Sequence, residues 1–427
     1  MRSPLAAFLL CCYLSVSQAN RVYIHPFNLF ASENVSCETL QAQTSKPLET
    51  LPVAPLDIQV LAPDSRDPSK LEPQRQNITE RTAVLAALLN SLGLRMYQAV
   101  SSKQQSTNTL LSPVNTYGSL ILLGLGSDKD RKDCVFLMDG HKVLKTLQGI
   151  NSLVDDGPKD EITTQVWVFT RQDAQLSKDF VRGTQDFSDA SFIRGVDFAE
   201  PQEAEQLVNS FLEKTSDGRV KGIFKDLNSS SDLLFVSSFN FHGNWRTAFQ
   251  PEKTSLQEFH VDETTTVMAS LMTHTGQYHY LKDEECRCMV VKLCLSKRSY
   301  MLLALPDEGA SLHDIESKLL TGVMSDWHQN LQEGLLELSL PKFSMSSETS
   351  LHNLLTALNP EVEAKLLGSE AEFSQLSNTK PFTIDKDKVQ DAGVPLKLSI
   401  NRPFFFSVIE GDSSAILMLG KITNPTL

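Results

Sequence analysis

Basic residues are in short supply: 39 lysines and arginines stand against 52 acids, for a formal net charge of −13. A surface of that sign repels nucleic acid and anionic lipid, which excludes both as partners. Long apolar runs are missing too. Past the first 19 residues no stretch approaches the roughly 18 apolar residues of a membrane-spanning helix, so nothing is expected to anchor the chain in a membrane. Cysteine is scarce, 7 in 427 residues, which argues against a disulfide scaffold and leaves the fold to an apolar core. The chain also has no Gly-rich phosphate loop, no His-Glu-x-x-His and no Gly-x-Ser-x-Gly, so the usual signatures of nucleotide, zinc-peptidase and serine-hydrolase chemistry are absent. No enzyme, cofactor or metal is expected.

What is there begins at once. Residues 1–19, MRSPLAAFLLCCYLSVSQA, set one positive charge, Arg2, before a short apolar run and end on Ser17-Gln18-Ala19, a small-x-small cleavage pattern. This has the form of a secretory signal cut between Ala19 and Asn20, and it predicts a secreted, extracellular protein. Its loss takes Arg2, Cys11 and Cys12 and leaves Cys37, Cys134, Cys286, Cys288 and Cys294, an odd count with at least one thiol unpaired. Cys286 and Cys288 share a face if their segment is a strand, with His274 and His279 near in sequence. Their spacing matches no zinc pattern and suits buried or edge-strand cysteines. Asn34-Val-Ser, Asn77-Ile-Thr and Asn228-Ser-Ser are glycosylation sequons, and Asn77 also suits a helix N-cap with Glu80 after it.

Residues 30–78 are rich in Pro, Ser, Gln, Thr and Glu and read as a linker or a loosely attached tail. A body of one mixed α/β domain is expected over 79–427. Leu85, Leu88, Leu92, Met96 and Ala99 recur at helical spacing and predict an amphipathic helix with that stripe inward. Val143, Leu144, Leu147, Ile150 and Val154 predict another, and Ser311-Leu-His-Asp314 supplies a capping pattern for a third. Val166–Phe169, Leu234–Phe239 and the alternating Leu336–Leu340 read as strands. Pro403–Ile409 and Ala415–Leu419 flank Gly411-Asp-Ser-Ser414. That stretch has some likeness to the surroundings of a serine-protease nucleophile, but Ser414 replaces the glycine expected next, and Gly, Asp and Ser are what a hairpin turn requires.

Six motifs follow one another along the body: Thr109-Leu-Leu-Ser-Pro113 before a Gly-rich apolar helix, Val208-Asn-Ser-Phe-Leu-Glu-Lys-Thr-Ser-Asp-Gly-Arg219, Phe241-His-Gly-Asn-Trp245, Leu302-Leu-Ala-Leu-Pro306, Leu338-Ser-Leu-Pro-Lys-Phe343 and Asn401-Arg-Pro-Phe404. In kind and order they resemble the serpins. The resemblance implies an α+β fold of three β-sheets and about nine helices. In most members it also implies an exposed reactive loop that inhibits a protease by inserting into the central sheet. Such a loop needs small, uncharged residues in alternating register. The interval from Phe373 to Asn401, FSQLSNTKPFTIDKDKVQDAGVPLKLSIN, has no Ala-rich hinge, carries Asp385-Lys-Asp-Lys388, and is short for a strand plus a loop. Ser237 stands where serpins usually place an asparagine. Inhibition is therefore not expected, and one strand of the central sheet is in doubt.

The expected mature N-terminus points elsewhere. NRVYIHPFNL, Asn20–Leu29, resembles the hormone decapeptide that a non-inhibitory branch of the serpins carries there, with Asn20 for the usual Asp and Asn28 near its end. That resemblance implies cleavage of Leu29–Phe30 by renin, an aspartic protease, and of Phe27–Asn28 by a dipeptidyl carboxypeptidase. It also implies a seven-helix receptor for the octapeptide Asn20–Phe27 and a disulfide between Cys37 and Cys134. The residue types suit those steps. Val22, Tyr23 and Ile24 favour extended backbone and Pro26 biases His25 away from helix, as a protease cleft requires. Leu29 and Phe30 put apolar side chains on both sides of the cut. In the free peptide Arg21 offers a fixed cation, Tyr23 and His25 polar aromatic tips, and Phe27 a ring beside the new carboxylate. Two alternatives stand beside this: Val22–Ile24 as a terminal strand docked on the body, and the whole chain as a protease-inhibiting or ligand-carrying serpin.

Overall fold

Periodicity becomes architecture as sixteen strands and eight α-helices among the residues that the computed structural model describes: 48–64, 78–126, 139–154, 161–295, 298–358, 384–393 and 400–426. The chain enters as β1 (Thr50–Pro52), β2 (Ala54–Pro55), α1 (Ile78–Ser101), β3 (Thr109–Leu111), α2 (Pro113–Gly126) and α3 (Gly140–Val154). It continues as β4 (Glu161–Arg171), β5 (Gln175–Ser177), α4 (Lys178–Phe187), β6 (Ala190–Val196), α5 (Pro201–Thr215) and β7 (Leu233–His242). Next come β8 (Thr254–His260), β9 (Thr266–Asp283), β10 (Cys288–Cys294), β11 (Ser299–Pro306), α6 (Leu312–Lys318) and α7 (Val323–Asn330). It closes with β12 (Gln332–Pro341), β13 (Met345–Thr349), α8 (Leu351–Leu358), β14 (Ile384–Gly393), β15 (Phe404–Glu410) and β16 (Ile416–Ile422).

The central sheet has the order β13-β14-β7-β4-β6-β2, the largest β12-β9-β10-β11-β15-β16-β3 with β8 beside β9, and β1 pairs with β5 alone. β4 and β7 read as nearly continuous apolar runs because both of their faces are covered. Val166, Val168, Leu233 and Phe235 face the main core, whereas Trp167, Phe169, Leu234 and Val236 face a second core that Phe211 of α5 helps to fill. β14 comes from the very interval that left a central strand in doubt. It pairs parallel with β7 from Lys386↔Leu234 to Gly393↔Phe241, and antiparallel with β13. Asp387 and Lys388 therefore belong to a sheet strand and not to a loop.

Other expectations meet the structure unevenly. All five apolar positions named for α3 are buried. Ser311 Oγ accepts the Asp314 N–H at 3.2 Å and Asp314 Oδ2 accepts the Ser311 N–H at 3.0 Å, which completes the capping box of α6. At Gly411–Ser414 the Glu410 carboxylate accepts the N–H groups of Asp412 (2.9 Å) and Ser413 (2.7 Å), so this is the hairpin turn. The stripe of α1 needs correction: Leu88 is 38% exposed, and the buried face runs through Leu85, Ala86, Leu89, Met96 and Tyr97. Gly93 is the cause, since it lies against Pro113 so closely that a Cβ would overlap the ring, and the residues one turn either side of it must face inward with it. By length and mean hydropathy (1.2) Thr82–Ser101 would pass as a membrane span, yet this buried face belongs to the main core.

Candidate functional site

The segment expected as a linker or loose tail departs furthest from expectation, because residues 48–64 lie along one corner of the body. Lys178 N–H donates to the Glu49 carbonyl at 2.9 Å while Lys178 Nζ reaches Glu49 Oε2 at 3.0 Å. β1 runs antiparallel to β5, with Thr50 opposite Ser177. β2 runs parallel to β6, with Ala54 opposite Arg194 and Pro55 opposite Gly195, and Leu56 N–H donates to the Gly195 carbonyl at 3.0 Å. After a turn on Asp57, whose carbonyl accepts the Val60 N–H at 3.1 Å, the Asp64 N–H comes back to the Ser191 carbonyl at 2.7 Å. This strap covers the edge of the central sheet, where β6 would otherwise present unpaired backbone groups.

A second, less exposed ion pair holds its far end. Arg194, 4% exposed, donates from Nη1 to Asp64 Oδ1 and from Nη2 to the Ala62 carbonyl, both at 2.7 Å. Its guanidinium carbon lies 5.8 Å from the centre of the Phe211 ring. The second Asp64 oxygen accepts the Ile193 N–H at 2.6 Å. Arg194 is the buried member and Asp64 is 29% exposed, so removing Asp64 leaves an enclosed guanidinium without its carboxylate, at a cost below the roughly 3–5 kcal/mol of a fully buried pair. Beside the pair, a Cβ on Gly195 would stand 3.2 Å from Val53 Cγ2 and 3.0 Å from Gln172 Cα, so bare backbone is what lets the strap approach. Residue types alone hinted at the strap: Leu51-Pro-Val-Ala-Pro-Leu56 interleaves proline with apolar residues, which suits an extended segment confined to a sheet edge. No local pattern announces Arg194, 130 positions from Asp64.

Of the residues singled out from sequence, Ala19, all of Asn20–Phe30, Asn34, Cys37, Asn77 and Cys134 lie outside the described residues. Asn228 is exposed at the start of a turn in which its carbonyl accepts the Ser231 N–H at 3.0 Å. It adjoins an open cleft of about 340 Å³ walled by Arg171, Asp173, Phe198, Ser230 and Asp232 among others. Arg171 bridges Asp173 (3.5 Å) and Asp232 (3.3 Å), and the lining has no histidine or cysteine to act with its serines. Ser237 is fully buried in β7 and donates to Asn115 Oδ1 at 2.6 Å, tying the central sheet to α2. Cys286 and Cys288 are buried. Burial, with the Asp283 carboxylate, pushes the Cys286 thiol up to about 12, and burial raises Cys288 further, so neither is a thiolate at neutral pH. His279 pairs with Lys292, four positions along β10 from Cys288, and no group of three or more metal-ligating side chains occurs among the described residues.

Three of the sequence motifs meet in the largest sheet. Arg402 donates from Nε (2.8 Å) and Nη2 (2.6 Å) to the Pro306 carbonyl, while Phe343 packs on Phe404 and Phe406 with ring centres 5.9 and 6.3 Å apart. The family profile described as Serpin (serine protease inhibitor) matches residues 87–390. The chain belongs to the serpin family. Angiotensinogen of Rattus norvegicus is 27% identical, with 98% of this chain and 97% of the relative aligned. Serpin A3-3 of Bos taurus is 26% identical over 80% and 89%. The crystal structure of mouse protein-Z dependent protease inhibitor has the same fold, with a TM-score of 0.72 at 20% identity over 82% of this chain and 100% of that one. In this serpin only six residues, Val394–Ser399, connect β14 to Ile400. β7 is ten residues long, about 33 Å at roughly 3.3 Å per residue, so a connection of about 20 Å is too short to leave the sheet, turn and lay a further strand along it.

Proposed function

We propose that this serpin is a secreted, non-inhibitory hormone precursor of the angiotensinogen type. The observation that carries this is Asn20–Leu29, a sequence like the hormone decapeptide placed ahead of a serpin body. Two further observations support it: the angiotensinogen relative aligns over 98% of this chain where Serpin A3-3 reaches 80%, and the β14 connection is too short for an inserting loop. Renin cuts Leu29–Phe30 and frees Asn20–Leu29; angiotensin-converting enzyme then cuts Phe27–Asn28. The octapeptide Asn20–Phe27 presents Arg21, Tyr23, Ile24, His25, Pro26 and Phe27 to a seven-helix receptor and so acts on vascular tone, blood pressure and salt balance. The chain is a substrate here and not an enzyme, for the catalytic carboxylate pair is the protease's. A Cys37–Cys134 disulfide tethers the tail near the cut, and Asn34, Asn77 and Asn228 carry glycans.

Renin treatment of the full-length protein, with products mapped by mass spectrometry, tests this. Asn20–Leu29 is the expected product, and a major product ending elsewhere overturns the precursor function. Leu29→Asp should slow release by about tenfold or more, because a carboxylate would have to be desolvated in an apolar subsite. Mapped without reductant, the protein should yield a linked pair of peptides bearing Cys37 and Cys134. Cys37 joined to Cys286, Cys288 or Cys294, or recovered as a free thiol, removes the tether.

A further inference from the structure

We infer that the Asp64–Arg194 pair is a positioning clamp for the scissile bond: by holding the strap on the edge of the central sheet, it fixes where the tail leaves the body. The inference rests on the precursor function proposed above. With the strap docked, 18 residues lie between Phe30 and Glu49, a span of at most about 60 Å. With the strap free, the next element of the body is α1, and 47 residues lie between Phe30 and Ile78. The local concentration of a tethered segment falls roughly as the −3/2 power of tether length, so release dilutes the scissile bond about fourfold around any protease that also rests on the body.

The strap is built to depend on this clamp. Pro52 and Pro55 each withhold an N–H from its two short strands, so the ladder along β5 and β6 is thin. Asp64 compensates by using its main-chain N–H and both carboxylate oxygens against three positions of β6, Ser191, Ile193 and Arg194. Because Arg194 is buried and faces the second core through Phe211, the body has its own reason to keep the strap: a guanidinium that is otherwise enclosed by ring and carbonyl groups.

The test uses full-length protein with Cys37→Ser, so that no disulfide at that position shortens the tether. Asp64→Asn removes the charge from the pair. Leu56→Pro leaves the pair intact and removes the N–H that the Gly195 carbonyl accepts. Amide exchange over residues 50–56 and at Lys178 reports docking, and renin kinetics are measured on each protein and on the free peptide Asn20–Glu33. We expect protected amides in the parent, faster exchange in both variants, and a KM raised about fourfold with kcat unchanged, while the free peptide is cut at one rate throughout. A purely structural role would lower the melting temperature and leave KM in place. An unchanged KM in variants whose strap amides have opened, or unprotected amides in the parent, overturns the clamp. Failure of the free peptide itself to be cut at Leu29–Phe30 defeats the precursor function instead, and the clamp's effect on cleavage with it.

Discussion

Gly93 decides which leucine of α1 is inside. Its contact with Pro113 turns Leu89, Met96 and Tyr97 toward the core, one turn either side, and leaves Leu88 outside. Leu89→Ala should therefore lower stability by about 2–5 kcal/mol, as for other buried leucines, and Leu88→Ala by no more than about 0.5 kcal/mol. Urea unfolding of the two variants checks the ranking, and a larger loss at Leu88 would put the stripe back where spacing alone placed it. Helical period could not choose between them, because Leu85 makes an i,i+3 pair with Leu88 and an i,i+4 pair with Leu89, and both are in phase with Leu92 or Met96. Lys421 was equally hidden. It is 1% exposed, 2.6 Å from Ser101 Oγ and 3.4 Å from Glu316 Oε1, so it joins β16, α1 and α6 through partners that no local pattern connects to it.

Elements were legible where their signal was local and repeated. The capping box of α6 was readable because its two members sit three residues apart, and Ser311→Ala should cost about 1 kcal/mol of stability, measured by thermal or urea melts. The Ser311 backbone N–H is the main cause that holds the Asp314 carboxyl below its ordinary value. A carboxylate depressed in the folded state stabilises above its unfolded pKa, and the contribution is lost as pH falls through the folded one. The difference between the wild type and Asp314→Ala, which removes the carboxylate that the Ser311 N–H holds, should therefore persist at neutral pH and shrink in strong acid; a gap that widened on acidification would count against the box. β1 and β2 were illegible for the opposite reason: two or three residues have no period, and only β5 and β6 make strands of them. β14 was misleading, because its charges read as loop, whereas its place between β13 and β7 supplies backbone partners on both sides.

At the scale of the whole molecule, six weak motifs in one order were enough to give the serpin fold, and three of them mark points where distant segments meet, as Arg402 meets Pro306 and Phe343 meets Phe404. The candidate site was legible only in part: the peptide motif is contiguous and can be read directly, while the strap that follows it depends on a partner far along the chain. The six-residue connection after β14 gives a prediction of the same scale. Mixed with a panel of serine proteases, the protein should form no detergent-stable covalent complex, and one such complex would restore the inhibitor function that the relatives' names suggest. The order of the largest sheet has a consequence for how the protein is made. Among the described residues β3 sits at its end and pairs with β16, Leu111 opposite Leu419 and Thr109 opposite Lys421. Asn108 is likewise held to Asn424, 316 positions later. A chain that emerges from the ribosome N-terminus first must carry β3 through the synthesis of every strand from β4 to β15 before β16 can pair with it, so this edge of the largest sheet closes late in folding.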